Sequence, residues 1–280
     1  MRDLKSHPEL LAINGATVRE QWDLKQLVDG CARHGIRAIA TWRDKVQLMG
    51  LDAAARLIRD SGLHVAGHCR GGMFPAADAQ GRQRAIEDNY RAVDEAAALG
   101  ARCLILVVGG LAPGSKSLSG AQAQVEEGIA MLLEHARPAG VNLAIEPLHP
   151  MYAADRACVN TLKHANDLCD RLGAGVGVAV DVYHLWWDPA LEREIARAGR
   201  SPGRIMGFHV SDWLVPTTDL LLDRGMMGDG VIDIAMIRSW VEAAGYGGPV
   251  EAEIFSARNW WKRDPDEVLA VCKERYRTVC

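Results

Sequence analysis

No Cys-x-x-Cys pair, no Lys/Arg run and no long apolar stretch occurs in this sequence, and each absence removes a class of function. The seven cysteines, at positions 31, 69, 103, 158, 169, 272 and 280, are odd in number and mostly sit in apolar contexts. They read as buried thiols of a reducing compartment rather than as a disulfide framework. The net charge is −4 and the pI is near 6.1, which argues against nucleic acid as the main partner. No apolar run approaches the roughly 18 residues of a membrane span. The first residues, MRDLKSHPELLAING, lack the apolar core of a signal peptide. A cytoplasmic location with no membrane partner is therefore expected. No G-x-x-x-x-G-K-S/T phosphate loop is found either.

What remains is an ordinary globular composition, 49% apolar and 24% charged over 280 residues. That length suits one α/β barrel or two small domains, and it buries a core without help from a metal or disulfide. A strand-like run alternates with a helical pattern eight times. The strands are expected at 11–14, 36–40, 64–68, 103–109, 142–147, 176–181, 205–210 and 249–254. Between them, apolar residues recur at helical spacing: Leu24, Leu27, Val28 and Cys31; Ile86, Tyr90, Val93 and Ala97; Val125, Ile129, Leu132, Leu133 and Ala136. The last helix opens on Asp264-Pro265-Asp266-Glu267, an N-cap, a proline at the first helical position and acids behind it. Its buried stripe is Val268, Leu269, Cys272 and Tyr276. Glycines close several helices just before the next strand, as in HGIRAIA and SGLHVAG. Runs such as CLILVV suit a parallel sheet buried on both faces. Eight such units fit a closed (β/α)8 TIM barrel of one domain, residues 1–280, better than an open doubly wound sheet. The segments 69–82 and 109–119 are long enough to cover the barrel mouth.

Four polar residues sit where apolar strands end: Glu146 in LAIEP, Asp181 in VGVAVDVYH, His209 in IMGFHVSDW and Glu253 in PVEAEIF. The carboxyl ends of barrel strands are where TIM-barrel active sites lie. Strands five to eight are neighbours, so these ends converge. Three carboxylates that close repel one another unless a cation sits between them. Two Glu, one Asp and one His form a shell for a single divalent ion, Mn2+ first, with Mg2+, Co2+ or Zn2+ as alternatives. Such an ion, with about six ligands, keeps two positions for substrate oxygens. Glu251 and Glu253 share one side of their strand, and Glu253, nearer the end, is the better ligand.

With Asp181-x-x-His184 included, the set resembles the xylose-isomerase-like TIM-barrel superfamily, closest to the sugar isomerases and epimerases of the D-tagatose 3-epimerase and hydroxypyruvate isomerase types. The resemblance spans most of the chain, with its specific motifs in residues 142–255. It implies that Glu146, Asp181, His209 and Glu253 bind the metal and that Glu146 and Glu253 also move protons. It implies further that His184 contacts substrate or supports the site, and that Arg224 in DRGMMGDG reaches a substrate oxygen. One departure stands out: Glu146-Pro147-Leu148-His149-Pro150-Met151-Tyr152 lacks the further acid often seen in ketose 3-epimerases, and His149 occupies that loop, in a structural or a functional role.

The expected chemistry is proton abstraction next to a carbonyl, through an enediolate held by the ion. Return to the same carbon epimerises, return to its neighbour isomerises, and loss of a β-hydroxyl dehydrates. An isomerase or epimerase of a ketose or keto-polyol is the first reading. A dehydratase acting on an inosose or a dehydroshikimate-like compound is the second. An endonuclease IV type nuclease needs more histidines; His68 is a candidate, but the fourth strand ends in VVGG. A non-catalytic sugar-binding or scaffold protein is the remaining alternative. Trp42, Trp186, Trp187, Trp213, Trp260 and Trp261 follow strands, and either bind a sugar's C–H faces or pack loops and an oligomer interface. His68 and Arg70, in GHCRGG, are expected near the mouth; Arg70 binds a carboxylate or phosphate or pins the loop, and Lys116 is a weaker candidate of the same kind. A small carbohydrate is the expected partner, and a dimer or tetramer of the chain is a further expectation.

Overall fold

The computed structural model describes residues 1–280. Eight parallel strands close into a barrel in the order β1, β10, β7, β6, β5, β4, β3, β2. These are β1 (Leu11–Asn14), β2 (Ala38–Trp42), β3 (His64–Gly72), β4 (Leu104–Val107), β5 (Leu143–Ile145), β6 (Val176–Asp181), β7 (Ile205–Val210) and β10 (Val250–Ala252). A two-stranded antiparallel ribbon, β8 (Asp212–Trp213) with β9 (Arg224–Gly225), is inserted after β7. The outer layer holds α1 (Leu24–Arg33), α2 (Arg43–Met49), α3 (Leu51–Ser61), α4 (Ala79–Ala98), α5 (Leu118–Ala136), α6 (Leu162–Leu172), α7 (Val182–Leu185), α8 (Leu191–Ala198), α9 (Ile234–Ala243) and α10 (Pro265–Thr278). No helix is long and apolar enough to cross a membrane.

The helical spacings account for the packing between the two layers. Leu24, Leu27, Val28 and Cys31 of α1 are buried, as are the five expected residues of α5 and the four of α10. Asp264 caps α10 by accepting from the backbone N–H of Asp266 and Glu267. The stripe of α4 differs at two positions. Ala96 is buried in place of Ala97, and Asn89 is buried although polar. Asn89 has a partner there: its side-chain amide accepts from the Gly72 N–H at 2.6 Å and donates to the Gly72 carbonyl at 2.7 Å, tying α4 to the end of β3. Gly62 ends α3 in the left-handed region at φ 72°, which lets the chain turn sharply into β3. All seven cysteines are free and buried.

Cys69, Cys103, Ile105, Ala144 and Ala179 form a compact cluster of their own. At Gly207 a Cβ would lie 3.0 Å from His209 Nε2, so the absence of a side chain leaves room for that ring.

The expected strands β1, β6 and β7 hold to the residue, and β4, β5 and β10 are shorter than expected. Two differ more. β2 starts two residues later, and β3 runs on to Gly72 with a shift of register between Cys69 and Gly71. This extension moves His68 from the end of β3 to its middle.

Candidate metal centre

Glu146 follows β5 directly, Asp181 ends β6, His209 is the penultimate residue of β7, and Glu253 follows β10. One ligand atom from each lies within 4.8 Å of every other, and all four residues are buried. Pro147, next to Glu146, carries no N–H for the ladder, so β5 stops and the carboxylate is left at its end. Asp181 is fixed by accepting the Tyr183 N–H at 2.8 Å.

The remaining contacts hold this cluster together. His209 Nδ1 lies 2.7 Å from Glu146 Oε1, and its Nε2 lies 3.6 Å from Glu251 Oε1. Arg224 Nη1 reaches Asp181 Oδ2 at 3.1 Å and Glu253 Oε2 at 3.2 Å. Its Nη2 lies 3.1 Å from His184 Nε2. The same guanidinium sits 4.3 Å from the Tyr183 ring centroid and 5.0 Å from that of Phe255. Asn14, at the end of β1, donates to Glu251 at 2.7 Å and Glu253 at 3.0 Å. Its oxygen accepts from the Ala16 N–H at 2.9 Å and Trp42 Nε1 at 2.6 Å. Two donors on the oxygen leave the Asn14 amide nitrogen facing the carboxylates.

The electrostatics follow from burial. Glu146, Asp181, Glu251 and Glu253 face the Arg224 guanidinium and the His209 and His184 imidazoles inside the barrel. Burial, then the Glu146 charge, pushes the Glu253 carboxyl up to about 8. Burial also raises Asp181 and Glu251. His209 goes up too: burial opposes its charge, but Glu251 and Glu146 more than offset that. His184 goes well down through burial and the Arg224 charge, so it is neutral.

These residues fit a divalent cation. Three oxygen donors and one imidazole are the right chemistry. Four buried carboxyl groups share this space, and the charge repulsion that adds to burial in raising Glu253 and Asp181 is relieved by a further cation. His209 Nε2 is buried without a hydrogen-bond partner, a ring not fully satisfied by the chain alone.

A cavity of about 800 Å³ opens over the cluster. Glu146 and Glu253 line it, with His184, Arg224, Tyr152, Phe255, Trp42 and Trp261, whereas Asp181 and His209 stand behind. Other expected site residues lie elsewhere. His68 is fully buried and points away from the cavity, bonded to Thr41 Oγ1 at 2.8 Å and Glu95 at 3.2 Å. The cause is its mid-strand position, where alternate side chains face the helix layer. Burial alone would raise the Glu95 carboxyl, but hydrogen bonds from His68, Arg43 and Gln47 hold it at about 2.

His149, Trp186 and Trp213 also fall outside the cavity lining. His149 stacks on Trp213 at 5.0 Å and accepts the Met151 N–H, capping a short helical turn. Trp213 in turn meets Trp186 at 5.8 Å and Tyr183 at 4.8 Å, so these aromatics pack the loops behind the site. Trp187 joins them through His149, and Trp260 is buried with its N–H on Asp229. Lys116 is exposed, and no residue of 109–119 lines the cavity.

Asn14, Tyr152 and Arg156 were not singled out by the sequence patterns. Asn14 carried the usable signal, a polar residue closing the apolar run LAIN.

Residues 28–274 match the family described as xylose isomerase-like TIM barrel. No curated protein matches the chain. Among solved structures, protein SMc04130 from Sinorhizobium meliloti 1021 is 63% identical, with 98% of this chain and 99% of that one covered and a TM-score of 0.96. The IolI protein with a bound zinc atom is 20% identical, covering 96% and 97% of the two chains, with a TM-score of 0.82. D-psicose 3-epimerase, solved in the presence of D-fructose, is 16% identical, covering 95% and 96%, with a TM-score of 0.76. The last two likenesses are of fold. Barrel, strand-end ligand set and sequence match agree that the chain belongs to the xylose isomerase-like TIM barrel family.

Proposed function

We propose that the chain is a divalent-metal-dependent isomerase or epimerase of a ketose or related keto-polyol. The observation that carries this reading is the split within the ligand cluster. All four groups converge within 4.8 Å, yet only Glu146 and Glu253 face the cavity. Those two can touch both an ion and a substrate carbon. When bound, a divalent ion supplies Lewis-acid polarisation of the substrate carbonyl.

The chain's own groups carry the proton. β5 and β10 are separated round the barrel by β7 and β6, so Glu146 and Glu253 approach a substrate from different sides. One carboxylate removes the proton next to the carbonyl, and the same or the opposite carboxylate returns it. Return to that carbon from the other face inverts it, and return to the neighbouring carbon isomerises. Arg224 and Asn14 hold Glu253 in place from two directions. Trp42, Trp261 and Phe255 offer apolar faces for the C–H side of a polyol, and Trp42 meets Phe255 edge to face at 5.7 Å. Mn2+ is the first ion to test for this oxygen-rich shell, ahead of Mg2+, Co2+ and Zn2+. The zinc bound by IolI and the ketose chemistry of D-psicose 3-epimerase support the reading.

The test is proton exchange. Ketoses, ketose phosphates and keto-inositols are incubated with the Mn2+-loaded chain in D2O and followed by NMR. Deuterium at the carbon beside the carbonyl, without loss of water, is the expected result. An unsaturated product assigns the dehydratase reading instead, and no exchange with any of them contradicts both.

A further inference from the structure

Five guanidinium groups line the cavity, from Arg19, Arg43, Arg70, Arg156 and Arg224. Three are neutralised within the fold. Arg19 pairs with Asp44 at 2.7 Å, and Arg43 with Glu95 at 2.7 Å and Asp88 at 2.8 Å. Arg224 is held by Asp181 and Glu253. Arg70 is different. It is half-buried on β3, and its side chain makes no hydrogen bond and no ion pair. Arg156, in the loop after β5, meets only its neighbour Asp155, at 3.8 Å, and the Asp155 side chain is 66% exposed. The Arg156 guanidinium lies 5.8 Å from the Tyr152 ring centroid, which braces it without neutralising it.

Arg70, without a counter-charge, and Arg156, with only its exposed neighbour Asp155, thus face one cavity, from strands on either side of β4. Burial, then the Arg156 and Arg43 charges, makes the Arg70 charge costly to keep. The lining also holds the apolar Met73, Val107 and Leu148, and five acids. Of these acids, Glu20 and Asp44 are paired with Arg19, Asp88 with Arg43, and Glu253 with Arg224, while Glu146 bonds His209. The fold gains nothing by leaving the Arg70 guanidinium half-buried and unpaired, whereas a ligand bringing a negative charge would satisfy it and reach Arg156 as well.

We propose that Arg70 and Arg156 bind an oxyanion group of the substrate, a phosphate or a carboxylate, while its carbonyl end lies against Glu146 and Glu253. The proposal rests on the reading of this cavity as the substrate site. It narrows the substrate from any keto-polyol to one carrying an anionic group.

Isothermal titration of the full Mn2+-loaded chain with inorganic phosphate and with D-gluconate tests it, alongside Arg70→Gln, Arg156→Gln and Arg70→Lys. One anion per chain is expected, weakened by about ten- to a hundredfold in either Gln variant and partly recovered in Arg70→Lys. Tighter binding of phosphate assigns a sugar phosphate, and tighter binding of gluconate assigns a sugar acid. Because Arg70 has no partner in the fold, its variants keep the wild-type Tm. Equal anion binding by wild type and both Gln variants, or none by wild type, overturns the proposal. Deuterium exchange on a neutral ketose that Arg70→Gln leaves unchanged, with no anion bound, discards the anion site and keeps the isomerase. Arg70-dependent anion binding with no exchange on any keto-polyol keeps the anion site and discards the isomerase.

Discussion

Glu146→Gln folds as the wild type does and loses exchange of the substrate C–H proton by about 10²–10⁴-fold. The amide has the shape of the carboxylate and still accepts a hydrogen bond from His209, whose Nδ1 lies 2.7 Å from Glu146 Oε1. It cannot take a proton from carbon. Metal content is measured on the same sample, because Glu146 is also a ligand candidate. Asp181→Asn is the comparison: it alters a ligand candidate that does not line the cavity, so it separates loss of metal from loss of the base. Exchange at the wild-type rate in Glu146→Gln removes Glu146 as the base.

Replacement of Arg224 by leucine is expected to destabilise the chain by about 3–5 kcal/mol, because it removes one side of a buried ion pair and leaves the other behind. Asp181 and Glu253 would keep their burial, at 0% and 5% exposure, and lose contacts of 3.1 and 3.2 Å. His184 would lose its nearest polar neighbour as well, since its Nδ1 already has none. For a domain of this size that is a fall in Tm of roughly 10 °C. Added Mn2+ returns part of the loss, since a bound cation restores the missing positive charge and stabilises by mass action. A Tm unchanged in the variant would mean that Arg224 does not hold these carboxylates.

The convergence of Glu146, Asp181, His209 and Glu253 was legible in the sequence because each is a polar residue at the end of an apolar strand, and the four together are hard to explain as packing. Asn14 shows the same signal at the end of LAIN and sits at the hub of the carboxylate hydrogen bonds. His68 was misplaced for a local reason. Cys69-Arg70-Gly71-Gly72 has poor strand propensity, yet pairing with β4 carries β3 through it. Neighbouring β4 supplies the hydrogen bonds that the local sequence does not specify. Tryptophans just after strands gave no clue to which face they would take. Trp42 and Trp261 reach the cavity, whereas Trp186 and Trp213 pack against His149 and Tyr183 behind it. The approach of Arg70 and Arg156 to one cavity depends on barrel closure, which no pattern within either segment records.

The central claim is a single divalent ion held by Glu146, Asp181, His209 and Glu253. Elemental analysis of the chain, purified with Mn2+ and dialysed, tests it most directly. About one ion per chain is the expected content, falling sharply in Asp181→Asn and His209→Gln, with both variants still folded. A wild-type chain that retains no ion, or variants that retain as much as the wild type, would contradict it.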